Sequence, residues 1–238
     1  MLKNNNLKKD NTHKFAKKIN IKFNNLDLLK QAFVHRSFLN ENHGFRLGHN
    51  ERLEFLGDAV LELISTEYLF KEFPERPEGD LTNIRASIVN TNSLADVGEN
   101  LEVDKYLFLS RGESQDKNTK ARRYILANCM EAIIGAVYLD QGYEKTQKFV
   151  DKYFLSKAQE IVENKLYLDP KTKFQEKSQE IFNITPHYEL LEEKGPDHKK
   201  IFTVGLYIEK KLITKAKGTS KQEAEVNAAE LGLKKKNW

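Results

Sequence analysis

Between residues 21 and 168 the hydrophobic positions recur three and four apart, and the strict alternation of a half-buried strand is absent. Leu26, Leu28, Leu29, Ala32 and Phe33 predict a first amphipathic helix. Residues 51–73 predict a long one, closed by Pro74 and Pro77, which cannot continue a helical hydrogen-bond ladder. Residues 81–94 and 126–139 predict two more. From residue 169 the period changes. Residues 171–182 fit a short helix, and P-H-Y-E-L at 186–190 opens a strand that runs into a polar turn over 193–198. I-F-T-V-G-L-Y-I at 201–208 alternates, with Phe202, Val204, Leu206 and Ile208 on one face. Glu209, Lys210 and Lys211 turn the chain into a third strand over 212–217. Gly218-Thr219-Ser220 then caps a final helix in which Ala224, Ala228 and Leu231 share a face. The pattern predicts an all-α N-terminal domain followed by a small α+β domain of α-β-β-β-α order, with the boundary near residues 163–169.

Composition narrows the class. At 238 residues, and about 150 residues per domain, the chain has room for one full domain and a smaller one. No apolar run approaches the ~18 residues that span a bilayer. The first twenty residues are rich in Lys and Asn and lack the apolar core of a secretory leader. The single cysteine, Cys129, excludes an internal disulfide framework and a cysteine zinc cluster. A soluble cytoplasmic protein is expected. The formal charge of +4 hides an asymmetry. Residues 1–20 hold six Lys and one Asp, a basic and flexible arm of +5. Residues 169–238 hold fourteen Lys and eleven acids, +3. The stretch between them holds nineteen basic and twenty-three acidic residues, −4. Basic segments flanking an acidic body point to a polyanionic partner.

The strongest local feature is N-E-R-L-E-F-L-G-D at 50–58. With Glu51 set at zero and about 100° per residue, Glu54 falls near about 300° and Asp58 near about 340°. Three carboxylates therefore share a narrow stripe, while Leu53, Leu56, Ala59, Val60, Leu63 and Ile64 cover the opposite arc and predict a helix buried on most sides. Spaced acids on a helix are most often a solvated face. Here no Lys or Arg stands four residues beyond Glu51, Glu54 or Asp58 to relieve the like charges, and oxygen-only clusters suit hard cations such as Mg²⁺. Glu62 lies further along and reads as surface. Asn128 and Glu131, three apart on the 126–139 helix, are a second source of ligands. Glu131 stands in an apolar run, where a carboxylate needs a partner or a metal. Spacing alone leaves open whether the two helices meet.

These residues carry a resemblance. Residues 50–61 resemble the signature of bacterial ribonuclease III, as do A-F-V-H-R-S-F-L-N-E at 32–41, E-G-D-L-T-N-I-R-A-S-I-V-N at 78–90 and E-A-I-I-G-A-V-Y-L-D at 131–140. The tail resembles a double-stranded-RNA-binding domain through K-T-K-F-Q-E at 171–176, G-P-D-H at 195–198 and G-T-S-K-Q-E-A-E-x-x-A-A at 218–229. The resemblance runs from about residue 21 to the end. It implies a ribonuclease III catalytic and dimerisation domain at 21–165 and a double-stranded-RNA-binding domain at 169–238. It further implies a homodimeric endoribonuclease that cuts double-stranded RNA to 5′-phosphate and 3′-hydroxyl ends, in ribosomal and other RNA processing. The implied cofactor is Mg²⁺, with Mn²⁺ as a substitute; no organic cofactor and no membrane are expected.

Residue by residue, Glu51, Glu54, Asp58 and Glu131 match the family's acidic catalytic positions, and Glu54, Asp58, Asn128 and Glu131 its metal site. Glu78 matches an accessory acid. Phe55 matches an aromatic at the dimer interface, although core packing would place the same residue type there. Gln175, Glu176, His198 and Lys221 match RNA contacts, with Lys215 and Lys217 nearby. The chain departs from the family at Asn128, where Asp is usual, at Tyr124, where a small residue is usual, and at Gln222, where a second Lys is frequent. Asn keeps an oxygen but drops a charge, so weaker metal affinity is expected. The alternative reading is a duplex-RNA-binding protein whose chemistry is impaired at Asn128.

Overall fold

The computed structural model describes residues 11–116, 119–196 and 199–238, and in it the helical spacing of the first part of the chain becomes ten α-helices. These are α1 (Thr12–Lys18), α2 (Leu26–Ala32), α3 (Arg36–Glu41), α4 (Glu51–Glu72), α5 (Glu78–Ile88), α6 (Thr91–Asn100), α7 (Arg111–Gln115), α8 (Lys120–Gln141), α9 (Tyr143–Tyr153) and α10 (Ala158–Glu163). They form one compact unit ending at Asn164; a second runs from Lys165 to Trp238. α4 and α8 pack along each other at the centre of the first unit. Leu53, Val60, Leu61, Ile64 and Leu69 of α4 are buried, and so is nearly all of α8 from Ile125 to Val137.

Three expectations change. The predicted 81–94 helix is two helices. Asn90 interrupts it: its Oδ1 accepts from Ser93 N at 2.9 Å and caps α6, while its Nδ2 donates to the carbonyls of Ala86 and Ser87 at 3.2 and 2.9 Å and closes α5. The expected basic arm over 1–20 is structured where it is described. Residues 1–10 lie outside the described residues, but α1 buries Phe15 completely against Phe33 and Tyr106, with ring centroids 5.1 and 5.0 Å away. An apolar ring buried among rings anchors the segment whatever charge surrounds it. Finally, α4 is not buried on most sides. Phe55 is 81 % exposed, and Leu63 and Phe70 are exposed with it along one stripe.

The second unit contains α11 (Pro170–Phe182), β1 (His187–Lys194), β2 (Ile201–Ile208), β3 (Lys211–Gly218) and α12 (Lys221–Lys236), the expected α-β-β-β-α order. The sheet is antiparallel in the order β1-β2-β3, with Tyr188 opposite Leu206 and Val204 opposite Ala216. Phe174 from α11, Leu206, Ile208, Ile213 and Ala216 from the sheet, and Ala228 and Ala229 from α12 make its core. Leu231, expected on the inner face of α12, is exposed; Ala229 and Gly232 are buried instead. Gly232 lies so close to the Phe174 ring that a Cβ there would stand 2.7 Å from it, so a larger residue is excluded from that turn.

Candidate active site

The acids are positioned by a backbone crossing. A Cβ built on Gly57 of α4 would lie 1.8 Å from the Glu131 carbonyl oxygen, and one on Gly135 of α8 would lie 2.3 Å from the Leu53 carbonyl oxygen. The two helices therefore touch main chain to main chain, which only a pair of glycines permits. Gly57 sits between Glu54 and Asp58, and Gly135 one turn beyond Glu131, so the crossing brings the acid stripe of α4 against the polar positions of α8. The start of α4 is fixed as well. Asn50, 3 % exposed, donates from its backbone N to the Val34 carbonyl at 2.9 Å and from Nδ2 to the Ala32 carbonyl at 3.2 Å. The same Ala32 carbonyl accepts from Cys129 Sγ at 3.3 Å. The end of α2 thus holds both α4 and α8. Burial pushes the Cys129 thiol far above its ordinary value, so it packs as an inert group.

Glu54 and Asp58 lie on α4, half-buried and exposed respectively, with Glu51 exposed at the first helical residue. Asn128 and Glu131 face them from α8, both half-buried. Burial, and after it the negative charges of Asp58 and Glu54, push the Glu131 carboxyl up to about 8. Burial and the charges of Glu51 and Asp58 also raise Glu54, an effect that the nearby Asn128 amide partly offsets. Glu51 has basic side chains beside it instead: the Arg36 guanidinium Nη1 and the His49 ring Nδ1 each stand 3.7 Å from one of its oxygens. Glu62 pairs with Arg85 at 3.1 Å and stays at the surface. Glu78 opens α5, and its carboxylate accepts from Thr82 Oγ1 at 3.0 Å, a partner on its own helix. Among the described residues no group of three or more His, Cys, Asp or Glu side chains is placed to hold a metal ion. The oxygen-rich donor set nonetheless fits a hard cation: Glu131 is a half-buried carboxylate whose acidic neighbours all repel its charge, which is what a bound cation relieves.

His35, in the H-R-S stretch, serves the fold. Its Nδ1 caps α3 by accepting from Ser37 N at 3.3 Å, and burial holds the ring below its ordinary value. Asn50, Gly57 and Gly135 are the site-forming residues that spacing did not single out. Gly57 stands inside the quoted stretch, and a glycine amid an apolar helical run is the one signal that was available.

In the second unit, Gln175 and Glu176 are exposed on α11, and Glu176 pairs with Lys165 at 3.0 Å. Lys221 is exposed at the first residue of α12, where Ser220 Oγ accepts from Glu223 N at 3.1 Å and Glu223 Oε2 accepts from Thr219 N at 2.6 Å. Lys215 and Lys217 flank Ala216, which is buried against the helices, so strand alternation projects both lysines from the other face of the sheet. The structure does not bring them together with Gln175, Glu176 and Lys221. His198 lies outside the described residues.

Residues 25–158 match the family described as Ribonuclease-III-like, and residues 170–236 match the double-stranded RNA binding motif. The chain is 40% identical over 229 residues to Ribonuclease 3 of Borreliella burgdorferi, covering 96% of this chain and 93% of that one. It is 44% identical over 220 residues to Ribonuclease 3 of Desulforamulus reducens, covering 92% and 89%. Among solved structures, the nuclease domain of ribonuclease III from Campylobacter jejuni, described for structural flexibility in its region involved in dimer formation, matches at TM-score 0.52 and 35% identity. That match covers 61% of this chain and 99% of that one.

Proposed function

Because this chain belongs to the ribonuclease III family, we propose that it is an endoribonuclease hydrolysing phosphodiester bonds in double-stranded RNA, acting in ribosomal and other RNA processing in the cytoplasm. Its products carry 5′-phosphate and 3′-hydroxyl ends. The observation that carries this reading is the meeting of α4 and α8, which sets Glu54 and Asp58 against Glu131 in a chain that also holds a duplex-RNA-binding motif.

Glu54, Asp58, Asn128 and Glu131 would hold Mg²⁺, or Mn²⁺ in its place, and the chemistry supplied there is a lowered pKa for bound water and relief of negative charge at the phosphate. The chain's own part is to hold these oxygens together, while burial and mutual repulsion raise the Glu54 and Glu131 carboxyls. Without a cation, Glu131 retains its proton near neutral pH, since its carboxyl is pushed up to about 8. Glu51 is the more solvated carboxylate at the helix start and supports the site from its rim, with Arg36 and His49 beside it. Glu78 serves as an accessory acid outside this group.

Duplex RNA is recognised by its A-form shape and backbone, because side chains cannot enter the deep major groove. Gln175 and Glu176 on α11 reach 2′-hydroxyls and base edges of the minor groove. Lys221 meets a phosphate at the start of α12, where the helix dipole adds to its charge. Lys215 and Lys217, on the other face of the sheet, add basic charge without sharing that surface. The exposed stripe of Phe55, Leu63 and Phe70 on α4 is covered by a second copy of the chain, forming a homodimer.

The test is metal-dependent cleavage of a long RNA duplex. Glu131→Ala is expected to lower the rate by about 10²-fold or more while duplex binding persists. If the unsubstituted chain binds duplex but cuts no faster than Glu131→Ala, the proposal fails.

A further inference from the structure

Most of α8 is closed to solvent. From Arg122 to Val137 every residue is buried except Arg123, Tyr124, Asn128 and Glu131. Arg123 is committed to α6, with Nη2 2.7 Å from Asp96 and Nη1 2.9 Å from Glu99. The other three stand four and three residues apart, so at about 100° per residue they share a stripe about 60° wide, and Gly135 falls inside it. The stripe is shut at one end and open at the other. At Gly135 the main chain of α4 lies against it, at Asn128 and Glu131 it is half-buried, and at Tyr124 it is open, with that side chain 49 % exposed. The Tyr124 hydroxyl has no hydrogen-bond partner among the described residues. An aromatic ring with a free hydroxyl, left half in water, gains from being covered by a surface that is apolar in one part and polar in another. This is also a position where the chain departs from the family, which usually has a small residue there.

We propose that Tyr124 is a substrate-positioning residue at the mouth of the acidic cleft, packing its ring against a ribose and donating its hydroxyl to a phosphate or 2′-hydroxyl oxygen of the strand to be cut. At 1.5 Å per residue it lies about 6 Å along α8 from Asn128 and about 10 Å from Glu131. That distance keeps it out of bond breaking, yet a strand that reaches the acids from solvent passes over its ring. The backbone is the part of a duplex within its reach, because paired bases turn their edges into the grooves and a contact to sugar or phosphate sets register without reading sequence. A phenol also suits the place electrostatically. It is neutral, so it meets the phosphates without the repulsion that the neighbouring carboxylates exert. The inference rests on the ribonuclease reading above and adds to it a residue that holds the substrate.

The experiment is steady-state cleavage of a long RNA duplex in Mg²⁺ by the unsubstituted full chain, Tyr124→Phe and Tyr124→Ser, with duplex binding and sedimentation measured in the same buffer. Tyr124→Ser is expected to raise KM by about tenfold and to change kcat by less than about twofold, the pattern of a lost contact present before and during the reaction. Tyr124→Phe keeps the ring and loses the hydrogen bond, so its KM should fall between the two. The Mg²⁺ concentration for half-maximal rate should be the same in all three, whereas a substitution acting by disturbing the acids would move it. The proposal is overturned if KM of Tyr124→Ser equals that of the unsubstituted chain, if the loss lies in kcat or in the Mg²⁺ requirement, or if Tyr124→Ser changes the sedimenting species, which would make the tyrosine a contact between copies of the chain. If the unsubstituted chain binds duplex without cutting it, the ribonuclease reading fails and binding decides the proposal: weaker binding by Tyr124→Ser supports it and equal binding overturns it. If the unsubstituted chain binds no duplex, both fail.

Discussion

Glu131 sits in a run of α8 whose neighbours on both sides, Met130 and Ala132 to Val137, are buried hydrophobics and a glycine. A carboxyl there destabilises the metal-free fold, since burial and the charges of Asp58 and Glu54 all oppose its ionisation. Its proposed role in cleavage would keep it in place at the expense of stability. Glu131→Gln, which preserves shape and removes the charge, is therefore expected to raise the metal-free melting temperature by a few degrees while abolishing cleavage. A variant that melts lower than the parent in EDTA would show that the carboxylate is well accommodated without a cation. Asn50 acts in the opposite sense: it is buried, its backbone N–H and side-chain Nδ2 donate to the carbonyls of Val34 and Ala32, and its value is to fix where α4 begins. Its type and position stood in the sequence, but its bonds reach residues sixteen and more positions away, which spacing along one helix does not reveal.

The crossing of α4 and α8 is the element-scale device on which the site depends. Main-chain contact at Gly57 and Gly135 leaves no room for a methyl group, because each Cβ would stand within 2.5 Å of a carbonyl oxygen. Gly57→Ala should therefore force the helices apart, cost about 1–3 kcal/mol of stability in denaturant unfolding, and lower cleavage further than the stability loss explains. Gly79→Ala on α5 is the control, since no atom lies within 4 Å of a Cβ there and alanine favours helix. Equal effects of the two substitutions would remove the crossing from the account. Helix existence was legible from the hydrophobic period, as α2, α4 and α8 illustrate. The break between α5 and α6 was not, because Val89 and Asn90 carry no proline or glycine and the cap emerges only once Asn90 bonds Ser93. The helices α1, α3, α7 and α10 have seven residues or fewer and offered few turns, whereas the 11-residue α9 went unread although Thr146, Phe149 and Val150 stand at helical spacing.

For the whole molecule, the total charge of +4 resolves into an acidic stretch at 21–168 between basic ends. An acidic site repels the phosphate it must approach unless a cation intervenes, and in the proposed function one RNA substrate would meet both the carboxylates of the first unit and lysines of the second. The first unit leaves Phe55, Leu63 and Phe70 exposed along α4. The proposed second copy covers this stripe, so Phe55→Glu is expected to shift sedimentation of the full chain from dimer toward monomer. An unshifted species would place the interface elsewhere. The sequence by itself determined which residue types were available, the order of elements, the change of period near residue 169 and the acid stripe of α4, because each depends on spacing within a single element. Only the tertiary structure decided that α8 brings Asn128 and Glu131 to that stripe, that Phe55 lies outside the chain's own core, and that Lys215 and Lys217 face away from the helices. Those outcomes depend on which faces of separate elements are pressed together, and here two glycines and the carbonyl of Ala32 set the contact.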